Sequence, residues 1–240
     1  MIKLYRFHTR RPDLTHDQMV ADWTGRHVPA LIEALGSSLV RYATNEGLAV
    51  SWTGEPEEAP PYDGFDELWL DVPWEGDGTG RTVDMGREVR SLFEGSPEIF
   101  KSEREFAGLT VPMAAEEIVQ KETGRDHTFK IVELLTRRRD QTWTQCREIW
   151  LGEHVPYVKD VWGDRIVQYT TNLGLSNPFT QRFPDEAPIC DGIAEIYWGI
   201  DVPEFVEGLV ETAPGMIPDE TAFLGTYRGM LADEVIRHER

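Results

Sequence analysis

The chain has 240 residues, enough for one large domain or two of ordinary size. It is 40% hydrophobic and 28% charged, as in globular proteins, and its net charge of −19 disfavours nucleic acids and anionic membranes as partners. The N-terminus lacks a signal-peptide pattern, and no apolar run is long enough to cross a bilayer, so we expect a cytoplasmic protein.

The sequence contains an internal repeat. The segment Trp23–Pro29 recurs as Trp150–Pro156, and aligning residues 3–48 with residues 130–175 needs no gap and gives nineteen identical pairs out of forty-six. Unrelated sequences would give roughly three. The repeat predicts a duplicated chain, with domains at 1–122 and 127–240.

Each unit is predicted to begin with a strand, at residues 2–8 and 128–135. Both units then contain a threonine followed three residues later by a glutamine. This is the spacing of a capping box, so Thr15 and Thr142 are predicted to cap equivalent helices.

The predicted first helix carries a tryptophan and a histidine one turn apart, so both side chains lie on one face. Pro29 and Pro156 disfavour the α conformation at the preceding valine, which predicts a kink or break just after the histidine. Gly36 and Gly163 are predicted to end the helix.

The remaining predicted elements of each unit are a second strand, a third strand, a second helix and a last strand. They are predicted at 39–48, 65–72, 82–93 and 116–120 in the first unit, and at 166–175, 193–200, 203–211 and 234–237 in the second. Loops are predicted at 53–62 and 177–188. The order β-α-β-β-α-β predicts an α+β fold of two tandem ferredoxin-like units, whose sheets pack as an intramolecular dimeric α+β barrel with the helices outside.

Three motifs occur in the same order in both halves: Trp-x-x-x-His-x-Pro, Val-x-Tyr-x-x-Asn and Asp-Gly-x-x-Glu. In this respect the chain resembles the EthD-like family of dimeric α+β barrel proteins. The resemblance implies a pocket between the sheet and the first helix of each unit. It also implies chemistry like that of family members described as cofactor-independent dehydratases or decarboxylases, while related barrels include small monooxygenases and haem-degrading enzymes.

The first candidates for catalysis are His27 and His154. A histidine titrates near neutral pH and suits proton transfer, although packing against the neighbouring tryptophan would explain each residue equally well. Tyr42 and Tyr169 are predicted to face the helix and to donate hydrogen bonds in the pocket.

The candidates for substrate binding are more varied. Trp23 and Trp150 would form apolar walls, and Arg6 and His8 would give the first pocket a positive charge that the second lacks. Arg6 could instead pair with Glu133.

Asn45 and Asn172 have the opposite strand parity to the tyrosines, which favours a structural role. Glu67 and Glu195 lie among apolar strand residues, as buried bases or as partners of Arg41 or Lys3.

We therefore predict a cofactor-independent enzyme that moves protons on a small hydrophobic or polyketide-like substrate by dehydration, isomerisation, cyclisation or decarboxylation. The alternatives are an oxygen-using monooxygenase or haem-degrading enzyme, and a non-catalytic binding protein. We expect no metal and no cofactor. A monomer or a weak homodimer is expected.

Overall fold

The computed structural model describes residues 1–48, 60–72, 75–76, 83–84, 93, 95–175 and 190–240. The strands of the first half are β1 (Ile2–Arg10), β2 (Leu39–Leu48), β3 (Gly64–Leu70), β4 (Glu75–Gly76), β5 (Val83–Asp84) and β6 (Ala107–Glu122). Those of the second half are β7 (Phe129–Arg137), β8 (Ile166–Leu175), β9 (Gly192–Trp198) and β10 (Leu224–Glu239).

The α-helices are α1 (His16–Asp22), α2 (Val28–Leu35) and α3 (Pro97–Phe106) in the first half, and α4 (Trp143–Ile149), α5 (Val155–Trp162) and α6 (Val202–Thr221) in the second. A π-helical segment joins α1 to α2 and another joins α4 to α5, at Trp23–His27 and Trp150–His154. None of the described helices is both long enough and apolar enough to span a membrane.

Eight antiparallel strands close into a barrel in the order β1-β3-β2-β10-β7-β9-β8-β6. The long strands β6 and β10 each pair with the first strand of their own half and with a strand of the other half, and these pairings close the barrel. The predicted α+β barrel is therefore confirmed.

Alternation along the strands separates an interior from a helix-facing exterior. Tyr5, Phe7 and Phe65 pack inside the barrel against apolar residues of the second half. The opposite faces of the same strands pack under the helices, in one apolar cluster for each half. Each helix-facing cluster is therefore built mainly from one half, with Leu175 joining the first cluster and Ile118 packing against the second.

The predicted helix starts are confirmed, because Thr15 and Thr142 both form complete capping boxes. A kink or break was predicted just after the histidine. The break is wrong: Val28 keeps α-helical angles, and its N–H bonds to the carbonyl of Trp23 in a π turn. Proline cannot donate to the preceding turn, and its ring crowds the carbonyl four residues earlier, so a widened turn accommodates it. Gly36 ends α2 at a positive φ of 49°, as predicted.

The second helices and last strands differ most from prediction. Helix α3 was not predicted. Of the helix predicted at 82–93, residues 83–84 form a short strand with 75–76, Phe93 is helical, and the rest lie outside the described residues. Helix α6 extends ten residues beyond its predicted end at 211, and β6 and β10 are much longer than predicted. The predicted loop at 177–188 and residues 53–59 of the other also lie outside the described residues.

Candidate functional site

In the first half, the π turn brings Trp23 down onto the sheet. The indole ring lies over Gly64, where a Cβ would be only 2.6 Å from the ring, so the sheet must have a glycine at this position. The indole Nε1 donates a hydrogen bond of 2.8 Å to the carboxylate of Asp66, two residues along β3. Gly64, Asp66 and Trp23 therefore form one packing unit.

Asp66 is the centre of a buried hydrogen-bond network. Tyr42 donates to its Oδ1 at 2.6 Å, and His8 Nε2 contacts its Oδ2 at 2.8 Å. Burial alone would raise the pKa of Asp66, but His8, His27 and Arg6 outweigh it and hold that pKa below its usual range. Asp66 is therefore an ionised carboxylate with its acceptor positions used.

His27 is also fully engaged. Ser102 Oγ donates to the Ile99 carbonyl at 2.9 Å, so the hydroxyl accepts from His27 Nδ1, which lies 2.9 Å away. Arg6 then donates to His27 Nε2 at 2.9 Å. Burial, and next the Arg6 charge, lower the pKa of His27 well below its usual value. The imidazole is neutral, and its basic lone pair already accepts a hydrogen bond.

Arg6 bonds to Glu103 of α3 as well as to His27. The predicted alternative in which Arg6 pairs with Glu133 is therefore wrong, because both residues lie on helix-facing positions of different halves. The first-half polar residues satisfy one another in a closed space under α1 to α3.

The second half has the same tryptophan, histidine and tyrosine as this network but lacks its other polar residues. Trp150 lies over Gly192, where a Cβ would be 2.4 Å from the ring, and His154 and Tyr169 occupy the equivalent helix and strand positions. Three network residues are replaced: Glu133 stands for Arg6, Leu135 for His8, and Ala194 for Asp66. The strand register confirms these equivalences, since Arg6 pairs with Asp66 and Glu133 with Ala194.

The replacements leave polar groups of the second half without partners. Tyr169 OH and Trp150 Nε1 are buried, and among the residues that the structure describes neither has a hydrogen-bond partner. Burial, and next the charge of Glu133, raise the pKa of Tyr169. A hydrogen-bond contribution from the indole of Trp150 opposes that rise in pKa, although the two atoms do not meet the geometry of a formed hydrogen bond.

His154 has a different partner from His27. Its Nδ1 bonds to the carboxylate of Asp219 near the end of α6, and among the described residues its Nε2 has no hydrogen-bond partner. Burial lowers the pKa of His154, while the Asp219 carboxylate opposes that shift. This histidine therefore keeps a free nitrogen and an orienting carboxylate.

A cavity of about 610 Å³ opens between β7, β10 and α6. Its apolar lining includes Ile131, Phe205, Leu209 and Leu231. Glu133 and Glu220 also line it, and burial followed by the charge of Glu220 raises the pKa of Glu133 to about 7. Tyr227 and Arg228 belong to the lining as well, so a carboxyl group that titrates near neutral pH faces a partly open cavity with both polar and apolar walls.

The predicted glutamates lie on the opposite face of the sheet, inside the barrel. Lys3 contacts Glu67 at 2.9 Å and Glu195 at 2.6 Å, and Lys130 contacts the same two at 2.8 and 3.0 Å. The predicted pairing with Lys3 is confirmed, whereas Arg41 contacts Glu234. These buried ion pairs tie the two halves together.

The predicted asparagines share the barrel interior with those ion pairs. Asn45 donates to Glu67 at 2.8 Å, and Asn172 donates to Glu195 at 3.2 Å. The strand parity that separates them from Tyr42 therefore operates as expected. None of these four residues lines the cavity beside Glu133.

Sequence reasoning did not select Asp66, Glu133, Asp219 or Glu220 as site residues. Glu133 and the Asp66–Ala194 difference could have been found by comparing helix-facing positions of the two halves once the strand register was known. Asp219 had no such signal, because it lies beyond the predicted end of its helix. The described residues contain no group of three metal-ligating side chains.

No protein-family model matches the chain, and no curated protein matches it. Solved structures do. A tryptophan-to-valine mutant of chlorite dismutase from Candidatus Nitrospira defluvii is 11% identical, with 96% of this chain and 89% of that chain covered and a TM-score of 0.50. Two proteins described provisionally as monooxygenases follow. The one from Fusobacterium nucleatum is 8% identical, covers 98% of this chain and 92% of its own, and has a TM-score of 0.49. The one from Lactobacillus acidophilus is 5% identical, with 98% and 94% covered and a TM-score of 0.47.

At such low identity, the likeness to chlorite dismutase shows the fold alone. The chain has the fold of the dimeric α+β barrel proteins, with both halves of the barrel in one polypeptide. The chemistry of the site must be argued from its own residues.

Proposed function

We propose that this chain is a cofactor-independent enzyme that moves protons on a small hydrophobic substrate, and that the reaction takes place in the second-half cavity. The observation that carries the proposal is Glu133, a carboxyl group with a pKa of about 7 on the wall of that cavity, beside the apolar side chains of Ile131 and Phe205. Near neutral pH such a group exists in both protonation states, as an acid–base catalyst requires.

His154 is proposed as the second acid–base group. Asp219 holds its Nδ1, which leaves Nε2 as the working nitrogen, the arrangement by which a carboxylate orients a catalytic imidazole. The apolar walls favour a hydrophobic substrate of the polyketide or aromatic type. The reaction classes remain dehydration, isomerisation, cyclisation and decarboxylation.

The first half is proposed to be structural. His27 has both nitrogens engaged, and Tyr42 already donates to Asp66. A base whose lone pair accepts from a buried guanidinium cannot take a proton from a substrate until that bond breaks. Catalysis by His27 and Tyr42 therefore stays a prediction that the proposal does not use.

For the fold, we propose two tandem ferredoxin-like units at 1–122 and 127–240, related to the EthD-like proteins. The strand order within each half, β6-β1-β3-β2 and β10-β7-β9-β8, supports this assignment. Because the barrel closes within one chain, we propose a cytoplasmic monomer or weak homodimer. A non-catalytic binding protein would share the cavity but would show no turnover.

A haem-dependent activity is the alternative from related barrels. Haem iron needs an axial ligand, usually a histidine or cysteine. The described lining of the cavity contains neither residue type. His154 has a free Nε2 and an Nδ1 held by Asp219, which is the state of a metal-binding imidazole, but it is not among the residues that line the cavity. The cavity lining therefore offers no axial ligand, and a haem-dependent form of this alternative would need His154 to supply it.

The proposal can be tested by C–H exchange in D₂O. A panel of small aromatic and cyclic carbonyl compounds, including 1-tetralone, would be incubated with the protein and followed by proton NMR. Glu133→Gln should slow exchange by about 10² to 10⁴, the usual contribution of an acid–base group. The exposed Glu207→Gln on the same helix as Asp219 serves as the control.

Two results would contradict the mechanism. If C–H exchange is equally fast in wild type and in folded Glu133→Gln, Glu133 is not the acid–base catalyst. If C–H exchange persists after both His27 and His154 are changed to alanine, neither histidine takes part in proton transfer.

A further inference from the structure

The first half contains two donors that converge on a single oxygen. Trp23 Nε1 and Tyr42 OH both bond to Oδ1 of Asp66, at 2.8 and 2.6 Å. One donor comes from the π turn and the other from β2, so the helix–sheet packing fixes the distance between them. This pair of residues is therefore built to hold one acceptor oxygen.

The second half retains the donors without the acceptor. Trp150 lies in the equivalent π turn, Tyr169 lies at the equivalent position of β8, and Ala194 replaces the aspartate and ends at Cβ. Tyr169 OH and Trp150 Nε1 are buried, and the described part of the chain gives neither of them a hydrogen-bond partner. A buried donor left unpaired costs about 1–3 kcal/mol, so an oxygen supplied by a ligand would be favourable there.

We infer that Trp150 and Tyr169 bind the carbonyl oxygen of the substrate, at the position that the Asp66 carboxylate oxygen takes in the first half. This inference rests on the proposed function and names its substrate class. Asp66 is then an internal counterpart of the bound substrate oxygen. Ala194 is the residue that leaves room for it.

The site lies beside the cavity. Glu133, which lines the cavity, is the strand partner of Ala194 across β7 and β9. In the first half, His27 Nε2 is 3.8 Å from Oδ2 of Asp66, so the equivalent nitrogen of His154 faces the same region. Trp150 and Tyr169 are not among the residues that line the cavity, so a substrate held there must extend its oxygen past Glu133 to reach the two donors.

The charge around this site selects a neutral carbonyl over a carboxylate. Glu133, Asp219 and Glu220 are the ionisable groups whose charges act on Tyr169, and all three are acidic. A ligand carboxylate would be repelled by them and would lack the His8 and Arg6 counterparts that neutralise Asp66 in the first half. A ketone or aldehyde needs only the two donors.

Carbonyl binding also explains how proton transfer would proceed. The Glu133 carboxylate takes a proton from the carbon next to the carbonyl, and the C–H electron pair becomes a C=C bond while the carbonyl π pair moves onto oxygen. The resulting enolate oxygen accepts from Trp150 and Tyr169, which are already in place as its charge develops. Protonated Glu133 then returns the proton to carbon.

The test compares two ligands that differ only at the carbonyl, 1-tetralone and its hydrocarbon analogue tetralin. Binding would be measured by calorimetry on the full chain, wild type and variants. Wild type should bind 1-tetralone about tenfold or more tightly than tetralin, as expected for hydrogen bonds to otherwise unpaired donors. Tyr169→Phe should remove most of that preference and leave the affinity for tetralin unchanged.

Two further variants sharpen the result. Ala194→Asp should abolish the preference, because its carboxylate would occupy the oxygen position. Tyr5→Phe is the matched control: Tyr5 is also a buried tyrosine with an unpartnered hydroxyl, but inside the barrel, so the preference should persist.

Each outcome separates the two proposals. Equal affinity for both ligands, or a preference that survives Tyr169→Phe, would overturn the carbonyl site and leave the cavity proposal standing. If neither ligand binds, both the carbonyl site and the cavity as a ligand site are wrong. A carbonyl preference without C–H exchange in wild type would support the carbonyl site and contradict the catalytic proposal.

Discussion

The two halves of this barrel place the same tryptophan, histidine and tyrosine over the same sheet, and yet the spaces they enclose differ. In the first half, Asp66, His8 and Arg6 satisfy every donor around them. In the second half, alanine, leucine and glutamate stand at those positions, the donors are unpaired, and a cavity of about 610 Å³ lies alongside.

This difference separates architecture from function within one chain. The π turn and the Trp–Gly contact occur in both halves, so they belong to the fold. Unpaired buried donors lower stability, and within the described residues the tryptophan and tyrosine donors at this helix lack partners in the second half but not in the first. A ligand that supplies the missing oxygen would explain why they are tolerated.

The largest predicted effect is on the stability of the first half. Asp66→Ala leaves Trp23, Tyr42 and His8 without their acceptor, and removing one member of such a buried network costs about 3–5 kcal/mol. Urea denaturation should show this loss in the free energy of unfolding. The exposed Asp13→Ala is the control and should change little, because its partner Arg11 is also exposed. An unchanged midpoint for Asp66→Ala would contradict the structural role of the network.

The next prediction concerns the pH dependence that Glu133 gives to the second half. Its folded pKa of about 7 lies above the ordinary value of 4.5, so its contribution to stability is full below about pH 4.5 and is lost as pH rises through 7. Glu133→Gln removes this dependence. The stability of the variant relative to wild type should rise between pH 5 and pH 8 by at most roughly 3 kcal/mol, less where cavity water screens the charge. If the free energy of unfolding depends on pH in the same way in wild type and in Glu133→Gln, the pKa of Glu133 is not raised.

The stability of the first half should change with pH in the opposite direction. The folded pKa of Asp66 is lowered, so its contribution is present above the unfolded pKa and is lost as pH falls through the folded one. Burial also lowers the pKa of His8 and, more strongly, of His27, so stability should fall as pH drops below the ordinary histidine value. Acid therefore weakens the first-half network, and a pH that rises through 7 removes the contribution of Glu133. The lowered pKa of His154 adds one acid-sensitive group to the second half.

The smallest predicted effect is one that the halves share. Thr15→Ala and Thr142→Ala each remove a complete capping box, which should cost about 1 kcal/mol in either half. Thermal unfolding of the two variants should give matching losses. A loss confined to one half would mean that the two helices differ in more than their site residues.

Much of the fold could be predicted because its signals are local and occur twice. Both capping boxes lie within four residues, and both second strands were predicted to the residue at 39–48 and 166–175. The π turn could not be predicted from the rule that proline disfavours helix before it. That rule describes the average residue before proline, whereas a widened turn relieves the clash without leaving the helix.

The difference between the two histidines could not be predicted, because it depends on residues distant in sequence. Both ring nitrogens of His27 are occupied by hydrogen bonds, to Arg6 and to Ser102, which lies 75 residues later. His154 is oriented by Asp219, which lies 65 residues later. The contrast between Arg6 and Glu133 was visible in the sequence, but it suggested the better pocket in the first half. Only the contacts of α3 and α6 reverse that preference.

We propose that the second half binds a carbonyl compound and that the first half does not. The most direct measurement is the indole N–H NMR spectrum of protein labelled with ¹⁵N-tryptophan, titrated with 1-tetralone and assigned with Trp23→Phe and Trp150→Phe variants. We expect the indole N–H resonance of Trp150 to shift and to reach a plateau as 1-tetralone saturates the site, while the resonance of Trp23 does not shift. Movement of Trp23 with Trp150 unmoved, or no movement of either, would contradict it.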